Sequence, residues 1–295
     1  MHRTPEKNIL VFYHANCPDG FGAAWSAWKS LGDTAEYIPY QHGRTQLPDV
    51  TSKEVYTLDM TLPEPVFSDV LIKAKSLTSI DHHITNQDHI GRSTKFVFNV
   101  NHSGASLSWI YFHPELPVPK LIQYVEDNDL WLHKLPFAQE IPSATWLLDY
   151  NFDEWSDYAD LLDDSVGFEK STEQGTLLLK AFLKQAGELA EEHYFIELEG
   201  MKIPVANCPG HVSDVGHMLY TKYPPMALMW SRKKNAIVVS LRSDGNKDVS
   251  ELAVKYGGGG HKAAAGFTIL LDTVDMPENK LKKDLLAKLL SPSQK

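Results

Sequence analysis

Residues 76–83 read SLTSIDHH. The first part of this stretch has the length and composition of a strand, and the predicted strand ends on Asp81, which His82 and His83 follow. Neighbouring side chains on a strand point to opposite faces, so these three can share a site only where the strand gives way to a loop. Imidazole and carboxylate groups are typical ligands of Mn, Fe or Zn, although a polar loop with two incidental histidines explains the triplet equally well.

Four further segments are predicted strands, and helical segments separate them. The predicted strands cover residues 8–13 (NILVFY), 34–40 (TAEYIPY), 54–60 (EVYTLDM) and 95–100 (KFVFNV). One predicted helix follows a turn at residues 18–20, and another starts at Ser103. Further helices are predicted at residues 64–74, 119–131 and about 167–192. This alternation predicts an α/β domain with a mostly parallel sheet.

Polar residues lie at or just past the carboxyl ends of three predicted strands. His14, Cys17 and Asp19 follow the first strand, Asp59 ends the third, and Asp81 ends the fourth. Open parallel sheets bind ligands at that edge, where strand ends and helix starts converge. We therefore expect these clusters, which are distant in sequence, to meet in one crevice.

An acidic cluster lies near the end of the helix predicted for residues 119–131. Glu126, Asp127 and Asp129 crowd beside its C-terminus, where negative charge is unfavourable. A bound cation would relieve that repulsion, and an exposed loop is the alternative interpretation.

The pattern changes after residue 193 to short strands (residues 195–200, 202–208, 225–230 and 236–243) and a helix (residues 247–256), which predicts a second, smaller α/β domain. Its most conspicuous feature is Gly257–Gly260 followed by His261. Four consecutive glycines expose backbone N–H groups that suit a phosphate, and a flexible hinge is the alternative. Arg242, at the end of a predicted strand, is either a phosphate clamp or an ordinary surface arginine.

Composition limits the classes of function. The formal net charge of -10 argues against a long duplex nucleic acid as partner, because such binding needs many cationic contacts to phosphates. Two cysteines are too few for a disulfide framework. The N-terminal segment lacks the apolar region of a signal peptide and no stretch is long enough to cross a bilayer, so the cytoplasm is the expected location.

Taken together, the motifs resemble the DHH phosphoesterase superfamily in its two-domain DHH-plus-DHHA1 form, over most of the chain. The matching stretches, in the family's order, are HANCPDG (14–20), LDM (58–60), SIDHH (79–83), VEDNDLW (125–131) and RSDG with DVSELAVKYGGGGHKAAAGF (242–267). The resemblance implies a DHH catalytic domain at residues 1–165, a helical linker at 166–193 and a DHHA1 substrate-binding domain at 194–295. It also implies two divalent cations, most simply Mn²⁺, with Mg²⁺ as the other choice.

The resemblance further implies roles for individual residues. Asp59 resembles the carboxylate that bridges both metals, and His83 the residue that contacts the scissile phosphate while Asp81 orients a histidine. The implied metal ligands are His14, Cys17, Asp19, Asp59, His82 and Asp127, with Asp129 as the competing register for the last. The implied substrate-binding residues are Arg242, Gly258, Gly259, Gly260 and His261.

Cys17 is a departure from the family pattern, which usually has an aspartate at that position. A thiolate binds Mn, Zn or Fe and suits softer metals better than Mg. Cys17 is therefore a candidate ligand that could shift the metal preference, and a small buried cysteine is the alternative.

These observations predict a hydrolase that cleaves phosphodiester bonds in short oligonucleotides or small nucleotides with a metal-activated water. The rival activities are those of a phosphomonoesterase, an exopolyphosphatase or a pyrophosphatase. A catalytically degenerate nucleotide-binding protein is the rival of another class, motivated by Cys17. No membrane partner is expected, and the sequence leaves the oligomeric state open, with a homodimer among the options.

Overall fold

The computed structural model describes residues 7–41 and 46–290. The chain divides into two compact units, Met1–Leu179 and Lys180–Lys295. The expected architecture is confirmed: the first unit contains a parallel sheet with helices, and the second is a smaller α/β unit with a mixed sheet.

Five parallel strands form the sheet of the first unit, in the order β2-β1-β3-β4-β5. They are β1 (Ile9–His14), β2 (Ala35–Tyr40), β3 (Glu54–Leu58), β4 (Ser76–Asp81) and β5 (Lys95–Phe98). Strand β1 is buried on both faces, because Leu10 and Phe12 belong to one core cluster while Val11 and Tyr13 belong to another. This two-sided burial explains why the strand is continuously apolar in sequence.

The helices of the first unit are α1 (Pro18–Leu31), α2 (Val66–Lys73), α3 (Gln87–Ile90), α4 (Gly104–Phe112), α5 (Lys120–Asp129), α6 (Glu140–Ala144) and α7 (Phe152–Asp163). Helices α1 and α4 pack closely, with Trp25 stacked on Trp109 at 5.6 Å between ring centroids. Gly22 permits this approach, since a Cβ there would lie 3.0 Å from the Cβ of Ala105. Helix α7 has no counterpart among the predicted elements.

The turn predicted at residues 18–20 is wrong. Helix α1 begins at Pro18, and Cys17 is its N-terminal cap residue. Proline suits the first position of a helix because its fixed φ is helical and its missing N–H would have no partner there. The reversal of the chain lies earlier, at Asn16, which has a φ of 57°. Asp19 is consequently in the first turn of the helix.

Helix α8 (Ser165–Glu191) crosses the division between the units. It coincides with the helical segment predicted at about residues 167–192, whereas the predicted domain boundaries at 165 and 193 stay predictions. In the described parts of the chain, no helix is both long and apolar enough to span a bilayer.

The second unit has a six-stranded sheet in the order β10-β11-β9-β8-β7-β6, in which only β7 and β8 pair in parallel. Its strands are β6 (Tyr194–Leu198), β7 (Met201–Asn207), β8 (Met226–Lys233), β9 (Ala236–Ser243), β10 (Gly259–Gly260) and β11 (Ala264–Leu270). Its helices are α9 (Val212–Lys222), α10 (Val249–Lys255) and α11 (Lys280–Leu290). Leu228, Val239 and Leu241 are fully buried in its core.

Candidate metal centre

The strand register brings three of the predicted residues to one edge of the parallel sheet. Tyr13 pairs with Leu58, and Leu58 pairs with Ile80. The residues that follow these three, His14, Asp59 and Asp81, therefore lie side by side at the carboxyl ends of β1, β3 and β4. The residues predicted to meet at the carboxyl ends of these strands are therefore neighbours, and a ligand-binding crevice at this edge stays a prediction.

Asp59 lies between two histidines. Its Oδ2 is 3.2 Å from Nδ1 of His14, and its Oδ1 is 3.2 Å from Nε2 of His82. The carboxylate is 1% exposed, and its Oδ1 has no partner with hydrogen-bond geometry within the described chain. Burial would raise the pKa of this carboxyl, but His14, His82 and His83 hold it well below its usual value. A buried anion with one oxygen turned to each histidine is suited to bridge two cations.

Asp59 adopts a left-handed backbone conformation, with a φ of 57°. Aspartate tolerates this conformation better than most residues. The amide N–H of Asp59 still donates to the carbonyl of Ile80 at 2.9 Å, so the residue remains tied to β4 as the chain leaves the sheet.

Asp19 is buried against the start of helix α4. Its two carboxylate oxygens accept hydrogen bonds from the backbone N–H groups of Gly104 at 2.7 Å and Ala105 at 2.9 Å. These donors belong to the positive end of a helix, which stabilises an anion. Burial and the neighbouring carboxylates of Asp59 and Asp129 nevertheless raise the pKa of Asp19 well above its usual value.

Three carboxylates converge on one nitrogen of His82. Its Nε2 lies 3.2 Å from Asp59, 3.5 Å from Asp19 and 3.6 Å from Asp129. Burial lowers the pKa of this imidazole, but the three carboxylates outweigh burial and raise it to about 10. Such a concentration of acids around one buried imidazole is the environment that a bound divalent cation stabilises.

Two of the possible sets of ligand atoms lie on either side of Asp59. One consists of His14, Cys17 and Asp59, and the other of Asp19, His82 and Asp129, with the atoms of each set within 4.8 Å of one another. Ligands on opposite sides of an ion at about 2.0–2.3 Å are about 4.0–4.6 Å apart, so each set can surround one cation. The Asp59 carboxylate is shared, because its Oδ1 also lies beside His82.

Both carboxylate oxygens of Asp81 are engaged by hydrogen-bonding groups of the protein, although Asp81 also forms a possible ligand set with Asp59 and His83. One oxygen accepts from the backbone N–H groups of His82 at 2.8 Å and His83 at 3.0 Å and lies 2.8 Å from Nδ1 of His83. The other accepts from Thr61 Oγ1 at 2.8 Å and Asn86 Nδ2 at 2.7 Å. Since both oxygens are used within the protein, this fully buried carboxylate serves to orient the histidine loop.

His83 stands partly exposed at the same edge, with its Nδ1 held by Asp81. Burial would lower the pKa of its imidazole, but the charge and hydrogen bond of Asp81 raise it above the usual value. The side chain is 22% exposed, so part of the imidazole is open to solvent.

The structure separates Asp127 from Asp129. The carboxylate of Asp127 accepts the backbone N–H of Lys134 at 2.9 and 3.1 Å and that of Leu135 at 3.4 Å, so it holds the loop after α5. Asp129 is the residue that joins Asp19 and His82. Asp127, the ligand favoured from sequence, therefore lies outside the group around His82, because residues two positions apart on a helix point in different directions; which of the two binds metal stays a prediction.

Gly104 is a part of this centre that sequence reasoning missed. A Cβ at this position would lie 2.5 Å from the Cβ of Asp59. The start of α4 can therefore approach Asp59 only with glycine at this position. Ser103 caps the helix through its hydroxyl, and Glu126 accepts the Ser103 N–H at 3.0 Å. The signal available in sequence was the helix start at Ser103, but the approach to Asp59 depends on tertiary packing.

Cys17 lies beside the acidic residues of the centre and is partly buried. Burial raises the pKa of its thiol well above the usual value, and the carboxylates of Asp59, Asp129 and Asp19 raise it further. The cysteine is therefore a neutral thiol when no cation offsets these charges.

The predicted substrate residues of the second unit lie near each other on the sheet. Arg242 on β9 pairs in register with Ala264 on β11, four residues after Gly260. Its guanidinium donates to the Ser213 hydroxyl at 3.2 Å and to the Leu241 carbonyl at 2.9 Å. Gly216 makes room for this side chain, since a Cβ there would lie 2.6 Å from Cγ of Arg242.

The end of the glycine run forms a tight hairpin with β11. Gly259 and Gly260 form β10, which pairs with β11, and His261 and Ala264 exchange backbone hydrogen bonds at 2.8 and 3.2 Å across the turn. A Cβ at Gly258 would lie 2.0 Å from the carbonyl oxygen of Gly266. Close backbone approach therefore requires glycine at 258, and the substrate-binding role of the run stays a prediction.

Known proteins are similar to this chain in sequence, over one domain and over most of its length. Residues 209–287 match the family model of the DHHA1 domain. The uncharacterized protein R106 of Acanthamoeba polyphaga mimivirus is 26% identical over an alignment of 314 residues. The alignment covers 97% of this chain and 73% of that protein.

Two solved structures are among those to which the chain is similar. One is the DHH domain of PF0399, which is described as a member of the s1p family of ribosomal proteins. It has a TM-score of 0.53 at 14% identity, and the match covers 98% of this chain and 88% of that chain. The pGpG-specific phosphodiesterase PggH of Vibrio cholerae has a TM-score of 0.44 at 15% identity, covering 97% of this chain and 100% of its own.

Proposed function

We propose that the chain is a metal-dependent hydrolase that cleaves phosphodiester bonds in short oligonucleotides or small nucleotides, in keeping with the match of residues 209–287 to the DHHA1 domain and with the DHH-like motifs of the first unit. The observation that carries the proposal is the pair of ligand sets that share Asp59. A carboxylate between two cation positions is the arrangement used in two-metal phosphoryl transfer.

The proposed cations are two divalent ions, most simply Mn²⁺. His14 and Asp59 contribute to one position, and Asp19, His82 and Asp129 to the other, with Asp59 shared. Mixed imidazole and carboxylate donors suit Mn²⁺, whereas Mg²⁺ favours oxygen donors and water. Asp129 replaces Asp127 in this assignment, since Asp127 is used by the backbone of its own loop.

Bound cations would supply an activated water molecule and would neutralise the charge of the phosphoryl oxygens. The chain's own residues then position the reacting groups. Asp81 holds Nδ1 of His83, so the other ring nitrogen would meet a phosphate oxygen. An imidazole N–H at that point would stabilise the negative charge that develops in the transition state.

Substrate binding is proposed for the second unit. Arg242 is fixed by Ser213 and by the backbone, which reduces the entropy lost when a guanidinium binds a phosphate. The neighbouring hairpin with Gly258, Gly259, Gly260 and His261 would contact the substrate beside Arg242. The formal net charge of -10 favours a short substrate, because a long polyanion would need a more extended basic surface.

A side-by-side substrate panel tests the proposal. Trinucleotide RNA, a cyclic dinucleotide, a bisphosphonucleoside and polyphosphate would be incubated with the full chain and Mn²⁺, with product release followed by chromatography. We expect turnover of the phosphodiesters to exceed that of the other two substrates. Preferred cleavage of the bisphosphonucleoside or polyphosphate would instead establish a phosphomonoesterase or an exopolyphosphatase.

The same panel distinguishes an enzyme from a nucleotide-binding protein. Nucleotide binding without turnover of any substrate, in protein that contains bound Mn²⁺, would contradict the proposed hydrolase. Asp59→Asn provides the inactive reference, and Gly187→Ala provides a matched control because a Cβ at Gly187 would meet no atom within 4 Å.

A further inference from the structure

The two cysteines of the chain have contrasting environments. Cys208 is 1% exposed in the core of the second unit, and its Sγ donates to the carbonyl of Gly210 at 2.7 Å. Cys17 is only partly buried and lies among the carboxylates of the metal centre. Cys208 therefore has the environment of a structural cysteine, whereas Cys17 does not.

The loop between β1 and α1 places Cys17 beside His14 and Asp59. Asn16 reverses the chain with a φ of 57°, and the first turn of α1 then packs back on the end of β1. Gly20 makes this possible, since a Cβ there would lie 2.1 Å from the carbonyl oxygen of His14. The Cys17 carbonyl accepts the N–H of Phe21 at 2.9 Å, which fixes the cysteine at the helix start.

A second observation at this position also indicates a ligand. The Asp59 carboxylate is 1% exposed; its Oδ2 lies 3.2 Å from Nδ1 of His14, and its Oδ1 lies 3.2 Å from Nε2 of His82 without hydrogen-bond geometry. Its partners in the set, one atom each from His14 and Cys17, lie within 4.8 Å of each other and of the carboxylate. A buried carboxylate oxygen without a hydrogen bond is costly unless a cation is present.

We propose that Cys17 is a thiolate ligand of the cation held by His14 and Asp59, so that this position selects a thiophilic divalent cation such as Zn²⁺, Fe²⁺ or Co²⁺ over Mg²⁺. The inference rests on the proposed metal-dependent function and adds the chemical class of one of its two cations. On binding, the thiol releases its proton to solvent and the sulfur donates an electron pair to the cation. Sulfur favours softer cations, while the other set offers only imidazole and carboxylate donors.

The two positions would therefore differ in preference. The Asp19–His82–Asp129 set has two hard oxygen donors and one nitrogen, which accommodates Mn²⁺ or Mg²⁺. A Cys17 thiolate and an aspartate carboxylate carry the same formal charge. Cys17→Asp therefore replaces a soft ligand atom by a hard one without changing the charge of the set. This makes Cys17→Asp the informative substitution.

The test is a titration of the metal-free full-length protein with Co²⁺, followed by ultraviolet and visible absorption, without any substrate. We expect the wild type to develop the near-ultraviolet charge-transfer band of a cobalt–thiolate bond. Cys17→Asp should bind Co²⁺ without that band, and Cys208→Ser should retain it. Competition with Mg²⁺ should show the preference for Zn²⁺ reduced at least ~10-fold in Cys17→Asp.

Several outcomes would overturn the proposal. Co²⁺ bound to the wild type without the band excludes sulfur ligation but leaves the proposed hydrolase intact. A band that persists in Cys17→Asp, or that disappears in Cys208→Ser, assigns it to another sulfur. Absence of any Co²⁺ binding contradicts both this inference and the metal-dependent function. Cys17→Ser, with its small hydroxyl, decides the question if the aspartate variant does not fold.

Discussion

Gly104 and Asp59 are in such close contact that a Cβ at position 104 would lie 2.5 Å from the Cβ of Asp59. The start of helix α4 therefore forms one wall of the metal centre. The same helix start donates two backbone hydrogen bonds to Asp19. One short segment thus positions carboxylates from both ligand sets.

Gly104→Ala should consequently disturb the centre more than the overall fold. The added methyl group must displace Asp59 or the start of α4, and overpacking of this kind costs about 1–3 kcal/mol. We expect Mn²⁺ affinity to fall at least ~10-fold, measured by isothermal titration calorimetry. Gly187→Ala is the control and should leave affinity unchanged. Equal affinities in all three proteins would show that Asp59 is not a ligand or that the contact relaxes freely.

Substitutions at Asp127 and Asp129 should have different effects, the first on the stability of the fold and the second on metal affinity. Asp127→Ala removes the acceptor for two backbone N–H groups and should lower the free energy of unfolding by about 1–3 kcal/mol. Asp129→Asn should leave the stability of the metal-free protein unchanged or higher, since it removes an acid from a cluster of acids, while Mn²⁺ affinity falls at least ~10-fold. Urea unfolding and calorimetry measure the two effects. The reverse pattern would restore Asp127 as the ligand.

Asp81→Asn should lower the pKa of His83 in the metal-free protein. Burial lowers this pKa, and the Asp81 charge and hydrogen bond raise it above 6.5. A raised pKa stabilises the fold fully below about pH 6.5, and this contribution is lost as the pH rises through the folded value. Nuclear magnetic resonance titration of the histidine ring measures the pKa. An unchanged value in Asp81→Asn would show that Asp81 does not control the charge of His83.

Asp248 should stabilise the second unit in a pH-dependent way. Its side chain caps α10 by accepting from the backbone N–H groups of Ser250 and Glu251. Burial would raise the pKa of this carboxyl, but the hydrogen bonds from Ser250 and Glu251 lower it. Asp248→Ala should cost about 0.5–2 kcal/mol at neutral pH.

The sign of this effect follows from the lowered pKa. The stabilising charge is present above about pH 3.9, the ordinary value, and is lost as the pH falls through the lower folded value. The difference in unfolding free energy between Asp248→Ala and the wild type should therefore shrink in acid. A difference that does not change with pH would mean that the cap contributes no charge effect.

The strand ends that form the centre could be predicted from sequence. Buried parallel strands are short apolar runs, and their carboxyl ends meet at one edge, so His14, Asp59 and Asp81 could be placed together before the register was known. In the structure they are neighbours, because Leu58 pairs with both Tyr13 and Ile80, and each of the three residues follows one of these.

Other features depend on packing that no local pattern encodes. Asp127 and Asp129 are two positions apart on one helix, and only the placement of α5 decides which of them meets His82. Gly104 and Gly258 are glycine because another backbone or side chain approaches them from a distant part of the sequence. The sequence predicts a turn at residues 18–20 because Pro-Asp-Gly is common in turns, whereas in the structure Pro18 is the first residue of α1.

The central claim is that Asp59 supports metal-dependent cleavage of phosphodiesters. The most direct measurement is the rate of mononucleotide release from an end-labelled trinucleotide RNA with Mn²⁺, compared between the wild type and Asp59→Asn, with bound metal quantified in both. We predict turnover in the wild type, its loss on addition of a chelator, and a decrease of at least ~100-fold in Asp59→Asn. Equal rates in the two proteins, or no cleavage by wild type that contains two Mn²⁺ ions per chain, would contradict the claim.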